Sequence, residues 1–199
     1  MTLFEILERI DKIILLLVNH DSSHQYLDTL MLYLRNPLTW IPFYVFMACF
    51  FYKRAGHRFR IFILCSLVTI ALTDSISTLL KNAFERLRPC YDYEIGPLVR
   101  HLTDCGGLYS FPSSHAANHF GLATFWFWSV LQLTGKKWKF LWIWAMIICY
   151  AQMYVGKHFP SDIIAGALLG FVIGSLVIKA LSFFEMRIDK IRQVSFNVN

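Results

Sequence analysis

Five stretches of the chain are apolar over lengths that reach or approach a membrane span, and the polar residues gather in the gaps between them. The runs cover residues 38–52, 59–80, 116–133, 138–154 and 163–184. A helix needs about 20 predominantly apolar residues to cross a bilayer, and it satisfies its own backbone hydrogen bonds there. The pattern therefore predicts five transmembrane helices, the second continuing as a polar helical end to Leu87. Residues 1–35 read differently. MTLFEILERIDKIILLLVNHD sets Glu5, Glu8, Arg9, Asp11 and Lys12 among Leu and Ile. That suits an amphipathic helix lying in the interface better than a cleavable signal peptide. A second helix precedes Asn36-Pro37. These two either lie along the surface that the later motifs share, which is the preferred reading, or supply a sixth span. No internal repeat or second domain is visible. The expected fold class is all-α: a polytopic membrane helix bundle of five to six transmembrane helices with interfacial N-terminal helices. Residues 1–199 form one domain, divided into 1–35 (interfacial or partly inserted), 36–184 (transmembrane core) and 185–199 (cytoplasmic tail).

Composition sharpens this picture. The 199 residues are 56% hydrophobic and 16% charged, which excludes a typical soluble domain. The net charge of +6 has a topological explanation that makes nucleic acid an unneeded partner. Lys53, Arg54, Arg58 and Arg60 lie between the first and second runs, Lys136, Lys137 and Lys139 between the third and fourth, and Arg187, Lys190 and Arg192 after the fifth. Five spans put all three clusters on one side, which the positive-inside rule makes cytoplasmic. Residues 89–114 and 156–161 then share the opposite face. Cys49, Cys65 and Cys149 sit in apolar runs as packed thiols. Cys90 and Cys105 flank a polar loop and can pair if that loop faces an oxidising compartment.

Three polar segments thus meet at one face. In the first, Lys81 and Arg88 are seven residues apart, two turns of a continuous helix, and would share a side. They suit an anionic headgroup, or else simply snorkel to the interface. In the second, Pro112-Ser113-Ser114-His115, either Ser can cap the third span. The free N–H groups of that helix start suit an anion, and His115 can donate a proton. His119 follows His115 at i+4, but without a third ligand the pair is weak material for a metal site, and no metal or cofactor is expected. In the third, His158 and Asp162 are four apart across a Pro-initiated helix start. The carboxylate there can orient an imidazole that attacks through its other nitrogen, or serve the helix dipole alone.

In this order, Lys81-x6-Arg88-Pro89, Pro112-Ser113-Ser114-His115 and His158-x3-Asp162 resemble the type 2 phosphatidic acid phosphatase superfamily, the membrane lipid phosphatases related to vanadium haloperoxidases. The resemblance implies a metal-independent lipid phosphatase. In it His158 is the nucleophile that becomes phosphohistidine, Asp162 orients it, and His115 is the general acid. Lys81, Arg88, Ser113, Ser114 and Gln152 hold the phosphate. Two positions depart from the family pattern. Ser114 stands where Gly is usual. Ala151-Gln152 stands where Ser-Arg is usual, exchanging a phosphate-binding cation for a neutral amide that still donates a hydrogen bond. Lys157, beside His158, and Arg86 are the candidates to compensate. The implied substrate is a lipid phosphate or pyrophosphate, with undecaprenyl pyrophosphate favoured over phosphatidylglycerol phosphate, phosphatidic acid and lipid A. The implied location is a bacterial inner membrane with the site facing the periplasm, and residues 90–105 would form its lid. A haloperoxidase, a transporter and a lipid-phosphate binder with weak catalysis are the rival readings.

Overall fold

The computed structural model of the chain describes residues 2–56 and 58–196. Its helices are α1 (Leu3–Leu16), α2 (Gln25–Arg35), α3 (Ile41–Ala55), α4 (Arg58–Phe84), α5 (Ser114–Thr134), α6 (Phe140–Tyr154) and α7 (Pro160–Phe196), with a π turn after α1 and 3-10 turns before α3 and in the α4–α5 loop. The described residues hold no strand beyond one isolated bridge, Leu87 to Tyr109, so the all-α expectation holds. α4 and the Pro160–Phe184 part of α7 are long and apolar enough to cross a bilayer, and α6 is a shorter apolar helix. The segment expected as a tail continues α7 as helix to Phe196, while residues 197–199 lie outside the described residues.

α5 is the central helix. Its Ala116, Ala117, Leu122, Ala123, Phe125 and Val130 are buried. α7 packs along it through Gly166, Gly170 and Gly174, one per turn. A Cβ on Gly170 would collide with the Ala117 carbonyl and stand 2.7 Å from the Gly121 nitrogen. Helix backbones that associate in lipid approach this closely over small residues. α4 lines another side of α5 with small polar residues at helical spacing, Ser66, Thr69, Thr73 and Ser77, all buried. The indole of Trp126 donates to Ser66 Oγ at 3.0 Å, and Thr73 Oγ1 donates to Asn118 Oδ1 at 2.6 Å. Leu64, Leu67, Leu72 and Leu79 of α4 and Ile164, Leu168, Val172 and Leu176 of α7 stay exposed, as lipid-facing side chains would.

α4 ends earlier than expected. Glu85 takes φ 49°, a left-handed residue that stops a helix, so Lys81 and Arg88 do not lie along one continuous helix. The chain turns instead and pairs with the run-in to α5: Arg88 N–H donates to Leu108 O at 3.0 Å and Ser110 N–H to Arg86 O at 2.8 Å.

The N-terminal helices gather at the same end as the three motifs. Ile6, Leu7, Ile10 and Ile13 of α1, and Leu17 just after it, face outward, the apolar face of an interfacial helix. Lys12 meets Glu8, Asp92 and Glu94 at 3.0, 3.2 and 2.8 Å, tying α1 to the α4–α5 loop. Burial works to lower the Lys12 pKa, and these carboxylates outweigh it and raise the pKa. Cys90 and Cys105 form a disulfide within that loop. Asn19, fully buried, joins three segments. Its Nδ2 donates to Tyr154 O at 2.8 Å and Arg100 O at 3.1 Å, and its Oδ1 accepts from Arg100 N at 2.7 Å. Arg100 is also paired with Asp28 of α2, whose Oδ1 accepts from the Tyr154 hydroxyl at 2.7 Å. Asn19→Leu strands these backbone groups. Each buried unpaired group costs about 1–3 kcal/mol, so the variant is expected to lower the melting temperature of the detergent-solubilised protein clearly and to open residues 95–105 to protease. An unchanged melting temperature and digestion pattern would contradict this account of the cap.

Candidate active site

The site is built where the start of α5, the start of α7, the end of α6 and the loop after α4 converge. Ser113 is the N-cap of α5, its Oγ accepting from Ala116 N at 3.3 Å. Ser113 N–H donates to Asp162 O at 2.9 Å, locking the starts of α5 and α7 together. Ser114 is the first helical residue, and its hydroxyl is held by Ser77 Oγ and Lys81 Nζ, each at 2.8 Å. The hydroxyl that departs from the family Gly is therefore built into the α4–α5 contact. Lys81 Nζ also donates to Pro112 O at 2.5 Å.

α7 starts with Pro160 at its first helical position, where the missing N–H costs nothing. Asp162 Oδ2 reaches back to accept from Phe159 N at 2.8 Å, a cap made by the third helical residue. Its Oδ1 accepts from Arg86 Nη1 at 2.8 Å. Asp162 is fully buried, and His158 Nδ1 lies 3.6 Å from its Oδ2, an electrostatic contact too long for a hydrogen bond. Burial pushes the His158 imidazole below the ordinary histidine value, with Asp162 opposing. His158 is thus neutral near pH 7, with a lone pair available. Arg86 does not face the phosphate region in the compensating role considered for it. Its guanidinium is spent on Asp162, Ser161 and the buried Asp11 of α1, and it stacks 4.2 Å over the Phe159 ring. Asp11 in turn accepts from both the Ser161 amide and hydroxyl. Arg86 and Asp11 act on Asp162 as positioning residues. Nothing in their spacing singles them out in the sequence.

His115, His158, Gln152, Lys157, Lys81, Arg88, Ser114 and one residue that sequence reasoning did not single out, Arg35 at the end of α2, enclose a cavity of about 120 Å³. Of the five buried side-chain nitrogens without a hydrogen-bond partner among the described residues, four belong to this wall: Arg35 Nε, Arg88 Nε, Gln152 Nε2 and His158 Nδ1. Unpaired buried polar atoms are rare and costly. His158 Nδ1 faces Asp162, and the other three belong to residues around one small, cation-lined space, a place where an anion can be accommodated. Arg88 Nη1 donates to Lys157 O at 3.3 Å, and Lys157, itself nearly buried, is pushed down to about 8 by burial first and then by Arg35 and Arg88. His119 stands apart from this wall. Its Nδ1 bonds His115 O at 2.8 Å, so that nitrogen carries the proton, and its Nε2 faces Tyr44 Oη at 3.4 Å.

A second cavity, about 510 Å³, runs between α3, α4 and α5 and is mostly apolar, lined by Tyr44, Met47, Phe62, Ile63, Leu67 and Ile70 among others. It shares only Ser114 and His115 with the polar cavity. His115 therefore stands at the junction of an apolar groove and a cationic pocket.

Comparison with known proteins agrees with this geometry. The sequence model of the PAP2 superfamily matches residues 62–185. A lipid A 4'-phosphatase from Bacteroides thetaiotaomicron is 34% identical over 177 residues, 84% of this chain and 75% of that protein. An undecaprenyl-diphosphatase from Sulfolobus acidocaldarius is 32% identical over 146 residues, 70% of this chain and 62% of that protein. The crystal structure of a transmembrane PAP2-type phosphatidylglycerolphosphate phosphatase from Bacillus subtilis has the same fold, with a TM-score of 0.70 at 18% identity, covering 92% of this chain and 88% of that one. By its family match and its relatives, the chain belongs to the PAP2 superfamily and is a membrane-bound lipid phosphatase.

Proposed function

We propose that the chain hydrolyses the phosphate of a membrane glycolipid of the lipid A type, at the periplasmic face of a bacterial inner membrane, through a phosphohistidine at His158. The observation that carries the reading is the position of His115 between the two cavities. A lipid phosphate has one apolar end and one dianionic end, and the oxygen joining them must be protonated as it leaves. With the lipid in the 510 Å³ groove and the phosphoryl group in the 120 Å³ cavity, that oxygen falls beside His115. His158 attacks phosphorus through Nε2, and the P–O bond to the lipid breaks as His115 gives its proton to the leaving oxygen. Water then cleaves the P–N bond to release inorganic phosphate, with His115 taking the proton back. Asp162 stabilises the imidazolium side of His158. Lys81, Arg88, Lys157, the Gln152 amide and Ser114 at the start of α5 address the non-bridging oxygens, where charge must be held in the transition state, whereas Ser113, expected there from the sequence, is buried outside the cavity with its N–H spent on Asp162 O.

The choice of lipid rests on the relatives. The lipid A 4'-phosphatase matches more of the chain, at slightly higher identity, than the undecaprenyl-diphosphatase. Undecaprenyl pyrophosphate, favoured on sequence alone, is the second reading, supported by the 32% identical relative. The Cys90–Cys105 disulfide on the motif side supports an oxidising, periplasmic face. Phosphate release in detergent with EDTA, from lipid A and undecaprenyl pyrophosphate side by side, tests the choice. Preference for lipid A is expected, and turnover confined to undecaprenyl pyrophosphate would overturn it.

The same assignment fixes a pH dependence. Lys157 is a cation below about pH 8 and neutral above it, and kcat/KM reports the free enzyme. Its value is expected to fall as pH rises through that range. Lys157→Arg, whose guanidinium stays charged, should move the basic limb to higher pH. A limb that does not move in the variant would show that Lys157 does not set it.

A further inference from the structure

We infer that Arg35 carries the phosphate-binding charge that this chain lacks at Gln152, so that a cation usually supplied by α6 is supplied here by the interfacial helix α2. The inference rests on the phosphatase reading and names a further residue of the same site. Gln152 lines the cavity with an unpartnered Nε2 but brings no charge. Arg35 lines the same cavity, with its Nε buried and unpartnered. The two come from different helices that are packed together: Met31 of α2 lies in one buried cluster with Ala151, Tyr154 and Val155 at the end of α6. The end of α2 is fixed as well. Trp40 Nε1 donates to Leu34 O at 2.8 Å, the Asn36 side chain accepts from Leu38 N at 3.0 Å, and the Trp40 ring meets Trp144 of α6 edge-on at 6.0 Å. A guanidinium held this way offers a planar fork to phosphate oxygens, which a carboxamide cannot match in charge. The relocated cation also gives α2 a catalytic role, since without that helix in place the site is one cation short.

The experiment is a four-membered set in detergent: the unaltered chain, Arg35→Gln, Gln152→Arg, and Arg35→Gln with Gln152→Arg, plus Arg35→Lys. Two quantities are read, the Kd for orthovanadate by calorimetry and kcat/KM for phosphate release from lipid A. Removing one charge-assisted hydrogen bond from an anion site corresponds to about a 10- to 100-fold effect. Arg35→Gln is expected to weaken orthovanadate and lower kcat/KM by that much, Arg35→Lys by less, and the double variant is expected to recover most of both. Recovery separates a missing charge from a damaged fold, because a cation on α6 does not mend a misplaced α2. Unaltered orthovanadate affinity in Arg35→Gln, or a double variant no better than the single one, overturns the inference. Arg35-dependent orthovanadate binding with no phosphate release from any lipid would instead overturn the phosphatase reading and leave the anion site standing.

Discussion

Replacing His158 with Ala is expected to abolish phosphate release, lowering kcat by roughly 10⁴-fold or more, the scale on which removing a nucleophile acts. The buried environment leaves no substitute for it. Asp162 is held by Arg86 and Phe159 N, and His115 stands at the mouth of the groove rather than beside that carboxylate. Asp162→Asn should retain the helix start, because an amide oxygen can still accept from Phe159 N. It should nevertheless lose a factor of about 10²–10⁴ through the missing charge on His158. The two variants together should be little worse than His158→Ala alone, since they disable one unit. Phosphate release by His158→Ala at an appreciable fraction of the unaltered rate would reassign the nucleophile.

The second large effect lies away from the chemistry. Gly170→Val puts a branched side chain against the Ala117 carbonyl and the Gly121 nitrogen, both rigid backbone that cannot turn aside. Overpacking a tight contact costs about 1–3 kcal/mol and occasionally more, and a helix crossing this close is at the upper end. The damage should reach the site as well, because α5 and α7 carry Ser113 and Asp162, joined by the Ser113 N–H to Asp162 O bond. Gly170→Val is expected to give little folded protein by size-exclusion chromatography, and what does fold should have lost most activity. Gly107→Ala is the control, since a Cβ there meets nothing within 4 Å and its φ is unremarkable. Normal yield and activity from Gly170→Val would show that the α5–α7 approach is looser than described.

These two results concern features that were unequally legible in the chain. The five apolar runs map onto α3 to α7 because run length and interruption are what a bilayer reads. His115, His158 and Asp162 each sit at the end of a run, where a polar residue is ordinary by itself, and it was the order of the three motifs and its resemblance to the superfamily pattern that picked them out. The end of α4 could not be read. Glu85-Arg86-Leu87-Arg88 are good helix formers; Pro89 disfavours helix at Arg88, but the earlier turn at Glu85 comes with the pairing to residues 108–110. Arg35 was hidden for a different reason. A basic residue at the end of an amphipathic helix complements the dipole, so nothing local distinguishes it from an ordinary C-terminal cation. Its role depends on α2 docking against α6, a contact between segments more than a hundred residues apart in the chain. The Ser66, Thr69, Thr73 and Ser77 stripe on α4 does carry a signal, small polar residues at three- and four-residue spacing inside an apolar run. What they face, α5 and through Ser114 the site itself, becomes visible only once the helices are assembled.

The central claim is that a phosphoryl group passes through His158. The most direct measurement is to trap it: incubate the protein briefly with lipid A carrying radiolabelled phosphate, quench in base, digest and map the label by mass spectrometry. A phosphohistidine is a phosphoramidate, so the label should be stable in base, lost in mild acid, found on the peptide containing His158, and absent from His158→Ala. Rapid phosphate release with no label on the protein at any quench time, or label on another residue, would contradict the account.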